Sequence, residues 1–89
     1  MIVKSTKRFI RDIDKVKSLE LIDEIFHLLD SMEQIEVTDD IPGFKKFKNY
    51  PGYGRVRIAD YRIGVYISGK TITLKCILHR SVIYKHFPK

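Results

Sequence analysis

Residues 55–67 read RVRIADYRIGVYI, and this stretch decides the fold. Apolar and polar side chains alternate on both sides of Ala59-Asp60, which is the pattern of two half-buried strands. Two residues are the right length for the turn of a β-hairpin, although Asn-Gly or Asp-Gly would be the stronger turn sequence. The stretch therefore predicts an antiparallel hairpin with its turn at residues 59 and 60.

A two-residue turn also fixes which residues lie opposite one another across the hairpin. The predicted pairs are Ile58 with Tyr61, Arg57 with Arg62, Val56 with Ile63 and Arg55 with Gly64. Apolar side chains then cover one face, and three arginines lie on the other, which we call the arginine face: Arg55, Arg57 and Arg62. Arginines directly opposite each other repel unless an anion lies between them, and a guanidinium group binds phosphate through two hydrogen bonds. The arrangement predicts an anion site, and the alternative is three arginines that extend separately into solvent.

Further strands extend the predicted sheet on both sides of this hairpin. Gly69-Lys70 is a second two-residue turn, which leads into a strand over residues 71–78. In the register that this turn sets, the apolar face gains Ile72, Leu74, Cys76 and Leu78, while the arginine face gains Thr73, Lys75, Ile77 and His79. Phe44 and Phe47 flank lysines and predict a short strand before the hairpin, and residues 1–4 predict one more.

Two helices are predicted between the first strand and the rest of the sheet. Apolar side chains recur at helical spacing after Thr6, namely Phe9, Ile13 and Val16. Ser18 is then placed to cap a second helix that extends to about Glu33. Its apolar stripe comprises Ile22, Ile25, Phe26, Leu29 and Met32. The predicted fold class is therefore α+β, with an N-terminal helical hairpin packed on a twisted, mainly antiparallel sheet.

The length and the charge of the chain limit the kinds of function that are possible. A chain of 89 residues is predicted to form one domain over residues 1–89, which excludes a multi-domain enzyme. Its formal net charge is +6, but residues 18–43 hold eight acidic residues and no Lys or Arg, whereas residues 44–89 hold eleven basic residues and one acidic residue. Such a concentration of positive charge indicates a polyanionic partner, nucleic acid first. The alternative is a basic surface that is merely solvated.

Other residue types argue against several kinds of site. The single cysteine, Cys76, cannot form an internal disulfide, and residues 1–17 hold no long apolar run, so we expect a cytoplasmic protein without a membrane span. No His, Cys, Asp or Glu spacing is typical of a metal site, so neither a metal nor another cofactor is expected. His79 ends the last long strand on the predicted arginine face, where an imidazole can transfer a proton beside a bound phosphate. The alternative is a structural histidine.

The order of elements, the run at residues 55–63 and a second run, LHRSVIY at residues 78–84, resemble the RelE/ParE superfamily of bacterial toxins from type II toxin-antitoxin systems. Members are small basic proteins in which an N-terminal helical hairpin packs on one face of a twisted antiparallel sheet. RelE-like members cleave mRNA, commonly in the ribosomal A site, whereas ParE-like members inhibit DNA gyrase. The resemblance covers nearly the whole chain, and it implies a cognate antitoxin protein as partner. Ala59 departs from the family, because a glycine often stands there.

The resemblance and the charge pattern together give a set of predicted site residues. The predicted catalytic residues are Arg62, His79, Arg57 and Tyr84, and the predicted RNA-binding residues are Arg55, Lys45, Lys46, Lys48, Lys75 and Arg80. The implied activity is a metal-independent mRNA endoribonuclease that acts at the ribosome and inhibits translation, in which a ribose 2′-hydroxyl attacks the adjacent phosphate. The alternatives are a ParE-like inhibitor of gyrase and a catalytically silent RNA-binding relative.

Overall fold

Five strands form one sheet, and two long helices lie between the first strand and the second. The computed structural model describes residues 1–88. In chain order the elements are β1 Ile2–Ser5, α1 Lys7–Asp14, α2 Leu19–Gln34, a 3-10 turn Thr38–Asp40, β2 Phe44–Lys46, β3 Tyr53–Ile58, β4 Tyr61–Ser68, β5 Thr71–His79 and α3 Ile83–His86. The strand order is β1-β5-β4-β3-β2. Among the strand pairs of residues 1–88, β1 with β5 is parallel and the other three are antiparallel, so the predicted α+β class with a mainly antiparallel sheet is confirmed.

The hairpin of β3 and β4 has the predicted register. All four predicted pairs are present, including Arg57 opposite Arg62. Of the two turn residues, Ala59 has a positive φ of 51° and Asp60 does not, which is the type II′ pattern that favours glycine at the first central position. Gly69 holds the equivalent position of the turn between β4 and β5, with φ at 59°. Ala59 therefore adopts a backbone conformation for which glycine is better suited.

The two long helices cover one face of the sheet and enclose the main core. Thr6 and Ser18 cap them, since their hydroxyl oxygens accept the backbone N–H of Phe9 at 3.1 Å and of Leu21 at 3.2 Å. The largest buried side chains of this core are Phe9, Ile25, Met32, Ile41, Ile63, Ile72, Leu74 and Ile77. No helix among residues 1–88 is long and apolar enough to cross a membrane.

One residue of the predicted stripe on α2 does not face the core. Phe26 is 51% exposed, whereas its neighbour Ile25 is fully buried. The buried side chains of α2 are Leu21, Ile25 and Met32, and a step of about 100° per residue turns Phe26 away from the row that they form. The prediction that Phe26 belongs to the core-facing stripe is wrong.

A β-bulge in β5 changes which side chains share a face. Gly64 pairs with Cys76 but the next residue, Val65, pairs with Leu74, so that Lys75 is an extra residue in β5. One extra residue reverses the alternation of side chains beyond it. Cys76 and Leu78 therefore lie on the arginine face, and Ile77 and His79 lie on the helix-covered face. For these four residues the predicted faces are wrong, because the turn fixes the pairing only as far as the bulge.

Helix α1 supplies hydrogen bonds to the bulged part of β5. The Thr6 hydroxyl donates to the carbonyl of Lys75 at 3.0 Å, and Asp12 Oδ2 accepts the backbone N–H of Ile77 at 3.1 Å. Strand β1 pairs with β5 only as far as Leu74. A side chain of α1 and that of its N-cap residue Thr6 thus satisfy backbone groups that β1 does not reach.

The C-terminal segment crosses the arginine face and forms a second, smaller core there. Ile83 and Phe87 are buried against Cys76. A Cβ atom on Gly64 would lie 2.8 Å from both the Cys76 sulfur and the Phe87 ring, so this close approach requires glycine. Burial raises the pKa of the Cys76 thiol, which agrees with a packing role for this side chain.

Candidate functional site

A groove of about 270 Å³ lies beside the edge strand β2. Its side chains include five residues that the sequence predicts for the site, together with Phe47: Lys45, Lys46, Lys48, Arg55 and Tyr84. We call it the basic groove, because four of the six lining side chains are cationic and none is acidic. Lys45 lies directly opposite Arg55 across β2 and β3, and like charges in this position repel unless an anion neutralises them. The groove is therefore suited to an anion such as phosphate.

The arginine face adjoins this groove and carries uncompensated charge. Arg55 donates to the carbonyl of Gly43 at 2.6 Å, and Arg62 donates to the carbonyls of Ala59 at 3.2 Å and Tyr61 at 2.9 Å. These bonds orient the guanidinium groups without neutralising them. Within residues 1–88 the two ion pairs are Arg8 with Asp12 and Arg80 with Asp60. The three arginines of the arginine face therefore remain available to an anionic ligand.

Tyr84 reaches the basic groove because the C-terminal segment is anchored on the sheet. Its ring meets Phe47 edge to face at a centroid distance of 5.9 Å, and Phe47 lies at the same distance from Phe87. Phe87 is buried, whereas Tyr84 is 56% exposed. The anchored segment thus presents an accessible phenol beside the lysines of β2 and the loop that follows it.

His79 lies on the opposite face from the three arginines. Its ring packs edge to face on Tyr61 at 5.6 Å. The Nδ1 atom accepts the backbone N–H of Ser81 at 3.1 Å and lies 2.8 Å from the Ser81 hydroxyl. A backbone N–H can only donate, so Nδ1 carries the lone pair and the proton is on Nε2. The prediction that His79 shares a face with the arginines is wrong, since the bulge turns it to the helix-covered face.

Lys75 and Arg80 do not line the basic groove. Lys75 is the extra residue of the bulge, and Arg80 lies at the hairpin turn, where its backbone N–H donates to the carbonyl of Asp60 at 2.8 Å.

Phe47 lines the groove, but the sequence predicted it only as part of a strand and not as a site residue. The signal was an aromatic residue interleaved with lysines, a pattern typical of nucleic-acid-binding surfaces. In the part of the chain that the structure describes, no group of three or more His, Cys, Asp or Glu side chains could hold a metal ion.

Sequence similarity to a known toxin shows to which family the chain belongs. Toxin RelE3 of Methanocaldococcus jannaschii is 37% identical over an alignment of 93 positions, which covers 99% of this chain and 100% of that protein. The chain belongs to the RelE toxin family. It is thus a toxin of a RelE-type toxin-antitoxin system, and the resemblance to the RelE/ParE superfamily is confirmed. No protein-family model matches the chain.

Solved structures of RelE-type systems share the fold. The toxin-like chain in the RelB-RelE antitoxin-toxin complex from Methanococcus jannaschii superposes with a TM-score of 0.81 at 29% identity, covering 96% of this chain and 99% of that one. A chain of the chromosomal ParDE system from P. aeruginosa also matches, with a TM-score of 0.66 at 18% identity over 89% of this chain and 95% of its own length. The matched RelB-RelE and ParDE chains therefore share this fold, and the 37% identity to Toxin RelE3 is what assigns the chain to the RelE family.

Proposed function

We propose that this RelE-family chain is an endoribonuclease that cleaves mRNA at the ribosome and thereby inhibits translation. The observation that carries the proposal is the basic groove, in which four cations and Tyr84 adjoin the arginine face. A strand of RNA would place successive phosphates along Lys45, Lys46, Lys48 and Arg55. Such contacts hold the backbone without reading its sequence.

The proposed reaction is attack of a ribose 2′-hydroxyl on the adjacent phosphorus. The bond from phosphorus to the 2′ oxygen forms and the bond to the 5′ oxygen breaks, while the 2′ oxygen loses a proton and the 5′ oxygen gains one. Negative charge grows on the non-bridging oxygens, where Arg62 and Arg57 stabilise it. The reaction as written uses no metal ion, and DNA would not be cut because it lacks the nucleophile.

We give Tyr84 the role beside the bound phosphate that the sequence predicted for His79. Its phenolic O–H can donate or accept a hydrogen bond, and it lies in the basic groove, whereas His79 lies on the other face. We assign Tyr84 to the scissile nucleotide, where it orients the phosphate or takes part in proton transfer. Arg55 positions the backbone beside it.

We further propose that an antitoxin neutralises the chain by covering the arginine face. The related M. jannaschii structure is a complex of a RelE toxin with a RelB antitoxin. A cationic face of this kind favours an acidic segment that is disordered when free and folds on binding. Bound there, such a segment would occupy the surface that we assign to RNA.

A translation extract with one defined mRNA tests the proposal. The wild-type chain should produce cuts in phase with the codons, and Arg62→Ala should slow them about 100-fold or more, the usual effect of removing one preorganised charge-stabilising donor. Arg11→Ala, an exposed arginine of α1, is the matched control and should leave the rate unchanged.

The same preparation separates the two alternatives. Inhibition of gyrase supercoiling with intact mRNA would show the ParE-like activity instead. RNA binding without any cut, on or off the ribosome, would show a catalytically silent relative.

A further inference from the structure

A second groove, of about 400 Å³, adjoins the basic groove. Lys46 and Phe47 line both grooves. We call the second one the aromatic groove, because three rings contribute to its lining: Phe44, Phe47 and Tyr53. Thr38, at the start of the 3-10 turn, adds a hydroxyl. None of the proposed catalytic residues lines it.

Charge distinguishes the two grooves. The basic groove has four cations in its lining, whereas the aromatic groove has one, Lys46. Two exposed acids, Asp39 and Asp40, follow Thr38 in the 3-10 turn. Phosphate is therefore favoured in the basic groove and disfavoured in the aromatic one. A neutral, flat ligand fits the second groove better.

The size and chemistry of the aromatic groove match those of a nucleobase site. Small-molecule pockets have volumes of about 300–1,000 Å³ and are mostly apolar with a few polar groups. Unstacked RNA bases bind by stacking on Phe and Tyr rings while their edges form hydrogen bonds. Thr38 and the outward-facing peptide groups of the edge strand β2 can supply such bonds.

We propose that the aromatic groove binds one base of the RNA whose phosphates occupy the basic groove. Lys46, at the boundary, contacts the phosphate that joins the two nucleotides. The inference rests on the proposed function, because it takes RNA as the ligand of the basic groove. It goes beyond that function by assigning Thr38, Phe44 and Tyr53 to recognition of a base, and hence to sequence preference.

Binding of single nucleotides tests this inference without any cleavage. The probes are the four nucleoside 5′-monophosphates and, as the base-free reference, ribose 5-phosphate, titrated into the full chain and followed by NMR. At least one nucleotide should bind about tenfold more tightly than ribose 5-phosphate, the effect expected of one aromatic stack. Resonances of Thr38 and Ile67, which lines the same groove, should shift only with the nucleotides.

Two threonine variants locate the effect. Thr38→Phe fills the groove and should abolish the advantage of nucleotides over ribose 5-phosphate while leaving the affinity for ribose 5-phosphate unchanged. Thr71→Phe, at a half-buried threonine of β5 outside the groove, should retain the advantage. Thr38→Val keeps the shape and removes the hydroxyl, so it should reduce discrimination among the four bases, and it replaces Thr38→Phe if that variant unfolds.

The results separate a failure of the base site from a failure of the proposed nuclease activity. Equal affinities of nucleotides and ribose 5-phosphate for the wild-type chain would overturn the base site, even if mRNA is cleaved. The same result is expected if the groove instead receives a side chain of a protein partner. A nucleotide advantage that disappears in Thr38→Phe supports the base site, even if no mRNA is cleaved.

Discussion

Ala59 is an L-residue in a conformation that glycine adopts more readily. The left-handed region costs an L-residue about 1–2 kcal/mol, and part of the gain from glycine is offset by the greater freedom of the unfolded chain. We expect Ala59→Gly to raise the free energy of unfolding by about 0.5–1 kcal/mol. This corresponds to a rise of several degrees in melting temperature for a domain of this size.

Gly69 provides the control for this prediction within the same molecule. It holds the same turn position, and an added Cβ there would meet no atom within 4 Å. Gly69→Ala therefore tests backbone strain alone, and it should lower the melting temperature by about as much as Ala59→Gly raises it. A fall in stability for Ala59→Gly would contradict the strain that we assign to the turn.

His79 is expected to act in stability rather than in chemistry. His79→Gln removes the ring contact with Tyr61 and the hydrogen bonds to Ser81. We expect a loss of about 0.5–1.5 kcal/mol in the free energy of unfolding, with single-turnover cleavage unchanged for the folded fraction. Ser81→Ala removes only the contact of Nδ1 with the hydroxyl and keeps the bond from the backbone N–H, so it should cost less stability and also leave the rate unchanged. A loss in rate of about 100-fold at an unchanged melting temperature would restore His79 as a proton carrier.

At the level of elements, the predictable part of the structure ends at the bulge in β5. The turn at residues 59 and 60 determined the pairing of Arg57 with Arg62, because a two-residue loop leaves one register. The extra residue Lys75 has no signature in its own strand, since its carbonyl is held by Thr6, far away in the chain. The face of His79 could not be predicted for this reason.

The proximity of Tyr84 to the lysines of β2 could also not be predicted from the sequence. Both were predicted as site residues, but nothing in their spacing brings them together. Their proximity depends on the packing of Phe87 against Gly64 and Cys76, which is a tertiary contact.

Asp12 should be essential to the bulged strand. Asp12→Ala leaves the N–H of Ile77 without its acceptor in a buried position, which costs about 1–3 kcal/mol. Asp12→Asn keeps an acceptor oxygen and should recover part of this loss, and Asp14→Ala, at an exposed position of the same helix, should have little effect. Urea denaturation measures all three. Equal stability of Asp12→Ala and Asp14→Ala would show that α1 does not hold the bulge.

On the scale of the whole molecule, the acidic block of residues 18–43 and the basic block of residues 44–89 occupy different elements of the fold. The acidic stretch of residues 18–43 forms α2 and the following turn, and the long helices pack on the face of the sheet opposite the arginines. Within residues 1–88 none of these acids forms an ion pair with an arginine of the arginine face. Alternation was enough to predict the face of the arginines, and helical periodicity was enough to predict the two helices, because both depend on local sequence.

Because the charges are separated, we expect RNA affinity to depend on where a positive charge lies as well as on the net charge. Each phosphate contact contributes about 0.7 to the slope of log affinity against log salt for a single strand. Arg55→Ala, Arg57→Ala and Arg62→Ala should each lower the slope by about that amount. Lys15→Ala removes the same charge from the helix layer, at the end of α1, and should leave the slope unchanged.

Arg57→Ala should have a second effect, on stability, that a general attraction between RNA and positive charge would not produce. It removes one of two arginines that face each other across the sheet, so it should raise the free energy of unfolding by about 0.2–1 kcal/mol in the absence of RNA while it weakens RNA binding. Melting curves and salt titrations on Arg57→Ala and Lys15→Ala, run side by side, measure both effects. Equal reductions in slope for the two variants would show that RNA responds to net charge alone, and the arginine face would then lose its assigned role. Opposite changes in stability and affinity for Arg57→Ala would show that the chain tolerates a local repulsion in order to bind phosphate.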